Sequence, residues 1–493
     1  MSSDDAPTSA PLKPLGLDIG SSCSRLSIAS FVLAPGAGSC KVATSVVSTA
    51  NGVRYTPSVA VADPKKEGMY VVGETALELL RRSSSTAENK GQVVLGTPNS
   101  VPSSLAAATT AEFFKELQSM SCGAVGLPTG QPSDRLRAVV SLPPSLSAPS
   151  LTAAVEAGFG AGSVLACLPE AACVCVAHGL GGSGGARTAP HNWRRALVVS
   201  WGAAGLTLTP VARAGTADAF RVEASAATSL GPEVGGERIV DAVVAHCAGL
   251  FARKNSGLDV FESGKAIARL RLACEIAVRT LAKGSATSVD VDGLVDGVDL
   301  RVPLSRPRFE MLAAAALAPA KDLLKKAAAA GDYQVVLKAG AVCLMPAAAA
   351  AIEEAFPGCW HGLGSVPADE AAAVGAASHA AVLVEAGLAD GPAGEAEGLA
   401  AVKGLSVGVA LLAGGEVAGE VLEVLGDGAP VGCYCEGRVD APEGGEVGVV
   451  DMKTGKVLAK IGDVGKGSVG VFLAANKEGG IMVRCGNAEG VIA

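Results

Sequence analysis

The run "LGLDIGSSCSRLSIASF", Leu15 to Phe31, holds one acidic residue among small, apolar and hydroxyl-bearing ones. Its parts are those of a phosphate loop. Gly20 lets the backbone approach oxygen atoms, Ser21 and Ser22 supply N–H and hydroxyl donors, and the Asp18 carboxylate can hold metal-bound water. A buried strand capped by a serine turn has the same short pattern, so neighbouring segments must decide. Cys23 and Arg25 follow at once. Arg25 is expected to face solvent or phosphate rather than activate the thiol, which leaves Cys23 as a small apolar filler. His178, His191, His246, His361 and His379 show no metal-ligand spacing and no serine or cysteine partner, so packing or surface roles are expected. The thirteen cysteines form no C-x-x-C pair. The pairs Cys173/Cys175 and Cys433/Cys435 are expected to put both side chains on one face of a strand as reduced structural thiols.

Positioning such residues takes an α/β domain. "RAVVSLP" and "RRALVVSWGAAGLTLTPVA" read as strands, whereas "GKAIARLRLACEIAVRTLAKG" and "SRPRFEMLAAAALAPAKDLLKKAAAAG" have the three- and four-residue apolar spacing of helices. After the loop "GGSGGARTAPHNW" the chain repeats its opening pattern of strand, small-residue turn and strand, which implies a duplicated core. Residues 1–13 read as a disordered tail, 14–385 as the α/β unit, 386–404 as a flexible linker, and 405–493 as a small β-sandwich of short alternating runs separated by glycine turns.

A length of 493 residues calls for more than one unit. The net charge of -8 excludes a dense basic face for nucleic acid. The mean hydropathy of +0.39 is raised by alanine and glycine, and the longest apolar run is broken by Lys338 and Pro346, so no membrane span is expected. With acid and proline at its start, the chain reads as cytoplasmic.

"DIGSSCSRLSIASF", "NGVRYTPSVAVAD", "YVVGETA", "RAVVSLPPS", "LPEAACVCVAHGL", "GGERIVDAVVAH", "RLRLACEIAVRTL" and "VPADEAAAVGAASHAA" resemble, in order and spacing, the heat shock protein 70 family. The resemblance covers nearly the whole chain. It implies an actin-like two-lobed ATPase domain, a duplicated ribonuclease H-like core with a nucleotide cleft between lobes, and a substrate-binding-type β-domain. It implies ATP as ligand, with magnesium held through water by Asp18, Glu170 and Asp369. Gly202 and Ala203 match the second phosphate loop; Gly235, Gly236, Glu237, Glu275 and Arg279 match the adenosine side; Gly340 lies in a degenerate base loop. Val278 and Lys283 replace a lysine and a serine of that cradle.

The departures fall on catalysis. Ser200 stands at the family's aspartate, Gly205 at its threonine and Leu77 at its lysine. Losing one electrostatic donor typically costs ~100- to 1,000-fold in rate, so these losses imply a chain that binds ATP without appreciable hydrolysis. Pro143 matches a switch proline, but Leu151 and Ala166 replace arginines of interdomain relay and J-domain docking. The resemblance is to lidless, Ssz-type, ribosome-associated members. It implies a non-catalytic co-chaperone bound to a zuotin-like J-domain protein, associated with the ribosome indirectly and recruiting a conventional heat-shock chaperone, with no direct nucleic-acid or membrane contact. The alternatives are a slow ATP-dependent chaperone that binds clients itself and a nucleotide-free scaffold.

Overall fold

The apolar run ending in Asp18 forms a strand, β1 (Lys13–Asp18), whose central residues are buried on both faces, as a strand flanked by a parallel neighbour and a covering helix requires. A computed structural model describes residues 11–33, 40–63, 66, 69–82, 93–95, 103–129, 134–143, 148–180, 190, 193–213, 220–385, 407–419, 421–425, 434–442, 445–464, 467–475, 481–485 and 488–492. β1 starts one residue before the boundary expected at Pro14, and Leu12 already packs against buried apolar residues. Residues 1–10 and 386–404, and most of the loop "GGSGGARTAPHNW" with His191, lie outside the described residues.

β1 turns back antiparallel into β2 (Cys23–Leu33), which pairs with β3 (Cys40–Val46). On its other side β1 runs parallel to β4 (Leu136–Leu142), which neighbours β5 (Val164–Pro169). The sheet order is β3-β2-β1-β4-β5. A second sheet repeats the scheme. β6 (Arg195–Trp201) pairs antiparallel with β7 (Leu206–Arg213) and parallel with β8 (Val335–Ala339). Each sheet therefore presents a hairpin tip, at residues 19–22 and 202–205, next to the end of a parallel strand. The duplication expected from the sequence is present in this topology.

Helices bind the sheets together. α1 (Glu170–Ala177) follows β5 directly; α2 (Gly236–Lys254) shares a buried cluster with the second sheet; α3 (Gly264–Lys283) packs against α2 and the strand Ala286–Val295; α4 (Ala371–Glu385) lies against β1 and α1. Two glycines make the α4 contacts possible. A Cβ on Gly16 would stand 2.2 Å from the Ala373 carbonyl oxygen, and one on Gly375 would stand 1.7 Å from that of Cys173. The small residues of α4 do more than favour a helix, since they let it sit at backbone distance from its neighbours.

Two antiparallel sheets make up the C-terminal part. One contains the strands Val407–Ala413, Glu416–Val417, Leu422–Leu425, Gly445–Asp451 and Val457–Val464; the other contains Tyr434–Ala441, Gly467–Ala475, Ile481–Cys485 and Ala488–Ile492. Val407, Val409, Val447 and Val449 are buried on one side, and Val471, Leu473 and Val483 on the other.

One sequence expectation fails. Cys173 and Cys175 lie on helix α1, not on a strand, so residues two apart point in different directions and both thiols are enclosed on separate sides. Cys435 is in a strand, while Cys433 lies outside the described residues. Nine described cysteines are free thiols.

Candidate functional site

The ends of β1, β4, β5 and β6 gather the charged residues. Asp18 closes β1, Ser141 is its register partner on β4, Glu170 begins α1 and Ser200 lies near the end of β6. Burial, with the nearby Asp18 adding to it and the Ser200 hydroxyl opposing it, pushes the Glu170 carboxyl up to about 7. Burial also raises Asp18, against the opposing effects of the Arg25 charge and the neighbouring Ser141 hydroxyl, while Asp369 adds to the rise. Ser200 thus faces another member of the cluster without bringing a charge.

Arg25 departs from one half of its expectation, solvent or phosphate. It does not face solvent: the residue is 6% exposed, and Nη2 donates to Asp369 Oδ2 at 2.6 Å. The cause lies in the hairpin register, which sets Arg25 directly across from Asp18 and turns the long side chain inward. Cys23 is buried, and its sulfur accepts from Arg25 Nη1 at 3.5 Å.

At the hairpin tip, Ser58 Oγ donates to the Gly20 carbonyl at 2.8 Å, and Ser58 N donates to the Ser22 carbonyl at 3.0 Å. Ser22 Oγ also accepts from Arg279 Nη2 at 3.1 Å, while Arg279 Nη1 donates to Tyr55 Oη at 3.0 Å. The Arg279 guanidinium lies 4.5 Å from the Tyr55 ring centroid, a cation–π contact. Glu275 sits one helical turn before Arg279 and 3.7 Å from it; burial raises its carboxyl against the pull of Arg279 and Arg271, with Glu237 near enough to add repulsion. Among the described residues, no ion pair or hydrogen bond places Ser21, Val278 or Lys283 in this group, although the charge of Lys283 reaches Glu370.

The second hairpin meets the segment Gly235–Glu237 through its backbone. Gly236 N donates to the Gly202 carbonyl and Glu237 N to the Ala203 carbonyl, both at 3.0 Å. Gly235 must lack a side chain here, since a Cβ would lie 2.2 Å from the Ala203 oxygen. Gly205 is equally enclosed: a Cβ there would stand 2.4 Å from the Leu230 oxygen, so a threonine at this point would require the backbone to move. Gly340 has φ +87° and approaches the Trp201 carbonyl; its N–H donates to the carbonyl of Ala368, next to Asp369. Thus the loop of Gly340, the second hairpin and the Asp369 segment adjoin.

Leu77 lies outside this polar group and packs with Val59, Ala76, Val61 and Val71. Leu151 is buried among Leu15, Phe114 and Phe159. Sequence reasoning missed Tyr55, Ser58, Ser141 and the pair of Arg54 with Glu370, 2.9 Å apart. Only the Asp18–Arg25 spacing across a short hairpin could have signalled part of this.

A magnesium ion would need Asp18, Glu170 and Asp369 to hold its waters. The residues present do not suit it: Asp369 already accepts from the buried Arg25 guanidinium, and the same fixed cation stands across the hairpin from Asp18. Among the described residues no cluster of His, Cys, Asp and Glu suits a directly bound metal, and no helix is long and apolar enough to cross a membrane.

The Hsp70 protein family profile matches residues 139–419. The ribosome-associated molecular chaperone SSB of Candida glabrata is 31% identical over 254 residues, which are 50% of this chain and 39% of that protein. Heat shock 70 kDa protein 14 of Xenopus tropicalis is 29% identical over 237 residues, 47% of this chain and 44% of the relative. A heat shock protein 70 homologue of Schizosaccharomyces pombe is 33% identical over 129 residues, 25% of this chain and 23% of that protein. Each of these matches spans less than half of the relative's own length.

Proposed function

This chain belongs to the Hsp70 family, and from that premise we propose that it is a pseudo-ATPase, a member that holds ATP in an actin-like cleft without appreciable hydrolysis and works as an adaptor. The observation that carries the reading is the state of the catalytic positions. Leu77 packs among apolar side chains, Ser200 rests beside Glu170 as an uncharged neighbour, and Gly205 occupies a point with no room for a side chain. Phosphoryl transfer depends on positioning and on charge stabilisation, both of which these residues withdraw together. The binding side is retained: two hairpin tips, the Gly235–Glu237 segment against the second of them, and Arg279 bonded to Ser22 at the first.

Without a hydrolytic cycle, direct and timed capture of clients has no driving step. The chain then acts through partners: a J-domain protein of the zuotin type, held by the β-sandwich of residues 405–493, and a conventional heat-shock chaperone recruited beside it at the ribosome. The ribosome-associated name of the Candida relative supports this location, and the acidic balance of -8 suits a basic partner that carries the ribosomal RNA contacts. The protein is cytoplasmic in this reading and belongs to the Ssz-type branch. Affinity purification of the tagged full chain from cytosol, followed by mass spectrometry and ribosome sedimentation, tests it. A stoichiometric J-domain protein and a ribosomal fraction are expected. Recovery of unfolded clients released by ATP, with no J-domain protein, would overturn the adaptor role.

A further inference from the structure

A family cleft of this kind is expected to bring nucleotide phosphates in with a divalent cation, yet three observations place a cation of the chain's own at that point. Arg25 stands across the hairpin from Asp18 in strand register. Its guanidinium bonds Asp369 at 2.6 Å, with the Arg25 side chain 7% exposed. It also reaches to within 5.9 Å of the Tyr55 ring centroid, the ring that Arg279 approaches from Ser22. Arg25 thus touches Asp369, faces Asp18 and shares Tyr55 with the second guanidinium of the cleft. An arginine cannot surrender its charge, and its fork can serve a carboxylate and a phosphate together. Arg25 Nε is enclosed and, among the described residues, has no hydrogen-bond partner, so the guanidinium is not fully satisfied by the bond to Asp369.

We propose that Arg25 is the resident cation of the nucleotide site, standing in for the divalent metal so that ATP is held without magnesium. The inference rests on the nucleotide reading above and deepens it. A magnesium ion with its waters would compete for Asp369 and meet a fixed positive charge nearby. The phosphates meet instead the Arg25 guanidinium, together with the N–H and hydroxyl groups of the first hairpin tip, whose Ser22 is held by Arg279. Such a site trades catalysis for retention. A metal that bridges phosphates and positions water is replaced by a side chain that neutralises charge but carries no water to attack with.

Equilibrium dialysis of labelled ATP against the full chain tests this, once with excess magnesium and once with excess EDTA. Affinity within about twofold between the two conditions is expected, since the site makes no use of a metal–nucleotide interaction. Arg25→Ala should weaken ATP binding in EDTA on the order of ten- to a hundredfold, the loss of a charge-assisted hydrogen bond, and should make the residual binding magnesium-dependent. Arg25→Lys keeps the charge without the fork and should stay magnesium-independent at intermediate affinity, which also covers the case in which the alanine variant fails to fold. Wild-type binding that requires magnesium, or an Arg25→Lys protein that requires it, overturns the proposal while leaving nucleotide binding standing. No ATP binding in either condition overturns both.

Discussion

Glu170→Gln is the perturbation with the best-defined consequence for stability. Burial, aided by Asp18, holds the Glu170 carboxyl at about 7 in the folded chain against 4.5 when unfolded. Because the folded value lies above the unfolded one, folding favours the protonated acid. The corresponding stability is complete below pH 4.5 and is lost progressively as pH rises to about 7, after which both states are ionised and the loss is constant. The shift corresponds to a loss of roughly 3 kcal/mol. A glutamine at this position cannot ionise, places an amide near Ser200 and removes this penalty. Urea denaturation followed by tryptophan fluorescence is the assay, since Trp193 and Trp201 are both buried in the α/β part. The variant should match wild type at about pH 4.5 and exceed it by roughly 3 kcal/mol at about pH 8, with the difference opening between those values. A difference that is the same at every pH would refute the buried, ionisable account of Glu170.

Gly375→Ala should destabilise the chain by about 3 kcal/mol or more, because the new Cβ would stand 1.7 Å from the Cys173 carbonyl and force α1 and α4 apart; an unchanged denaturation midpoint would contradict that packing. ATP should raise the melting temperature of the wild type, by about 2.7 kcal/mol of added stability at roughly a hundredfold excess over its dissociation constant, and Asp18→Ala should abolish the rise. Equal shifts in both proteins, read by differential scanning calorimetry, would remove Asp18 from the site.

The sequence displays the parts of the fold that depend on local pattern. The apolar spacing of 264–283 and 306–330 emerges as the helices Gly264–Lys283 and Arg306–Ala330, and the two strand-turn-strand runs emerge as hairpins in matching sheets. Cys173 and Cys175 mislead because a short alternating apolar run is compatible with either a strand or a fully buried helix. The inward turn of Arg25 depends on a partner 344 residues away, Asp369, and no local pattern encodes such a contact. The same holds for Tyr55 and Ser22, which meet Arg279 from 224 and 257 residues away. That Ser200 and Leu77 carry no charge is visible in the alphabet alone, whereas the enclosure of Gly205 by the Leu230 carbonyl appears only in three dimensions.

The central claim, that the cleft keeps ATP and does not cut it, is tested most directly by single-turnover hydrolysis. Labelled ATP is loaded in less than stoichiometric amount, free nucleotide is removed, and bound ATP and ADP are separated by chromatography over several hours. The account predicts that the nucleotide remains ATP, converting no faster than in buffer alone, and that Ser200→Asp does not restore cleavage, since Leu77 and Gly205 still withhold charge and positioning. Conversion of the bound ATP to ADP by the wild-type chain well above the buffer rate would contradict it.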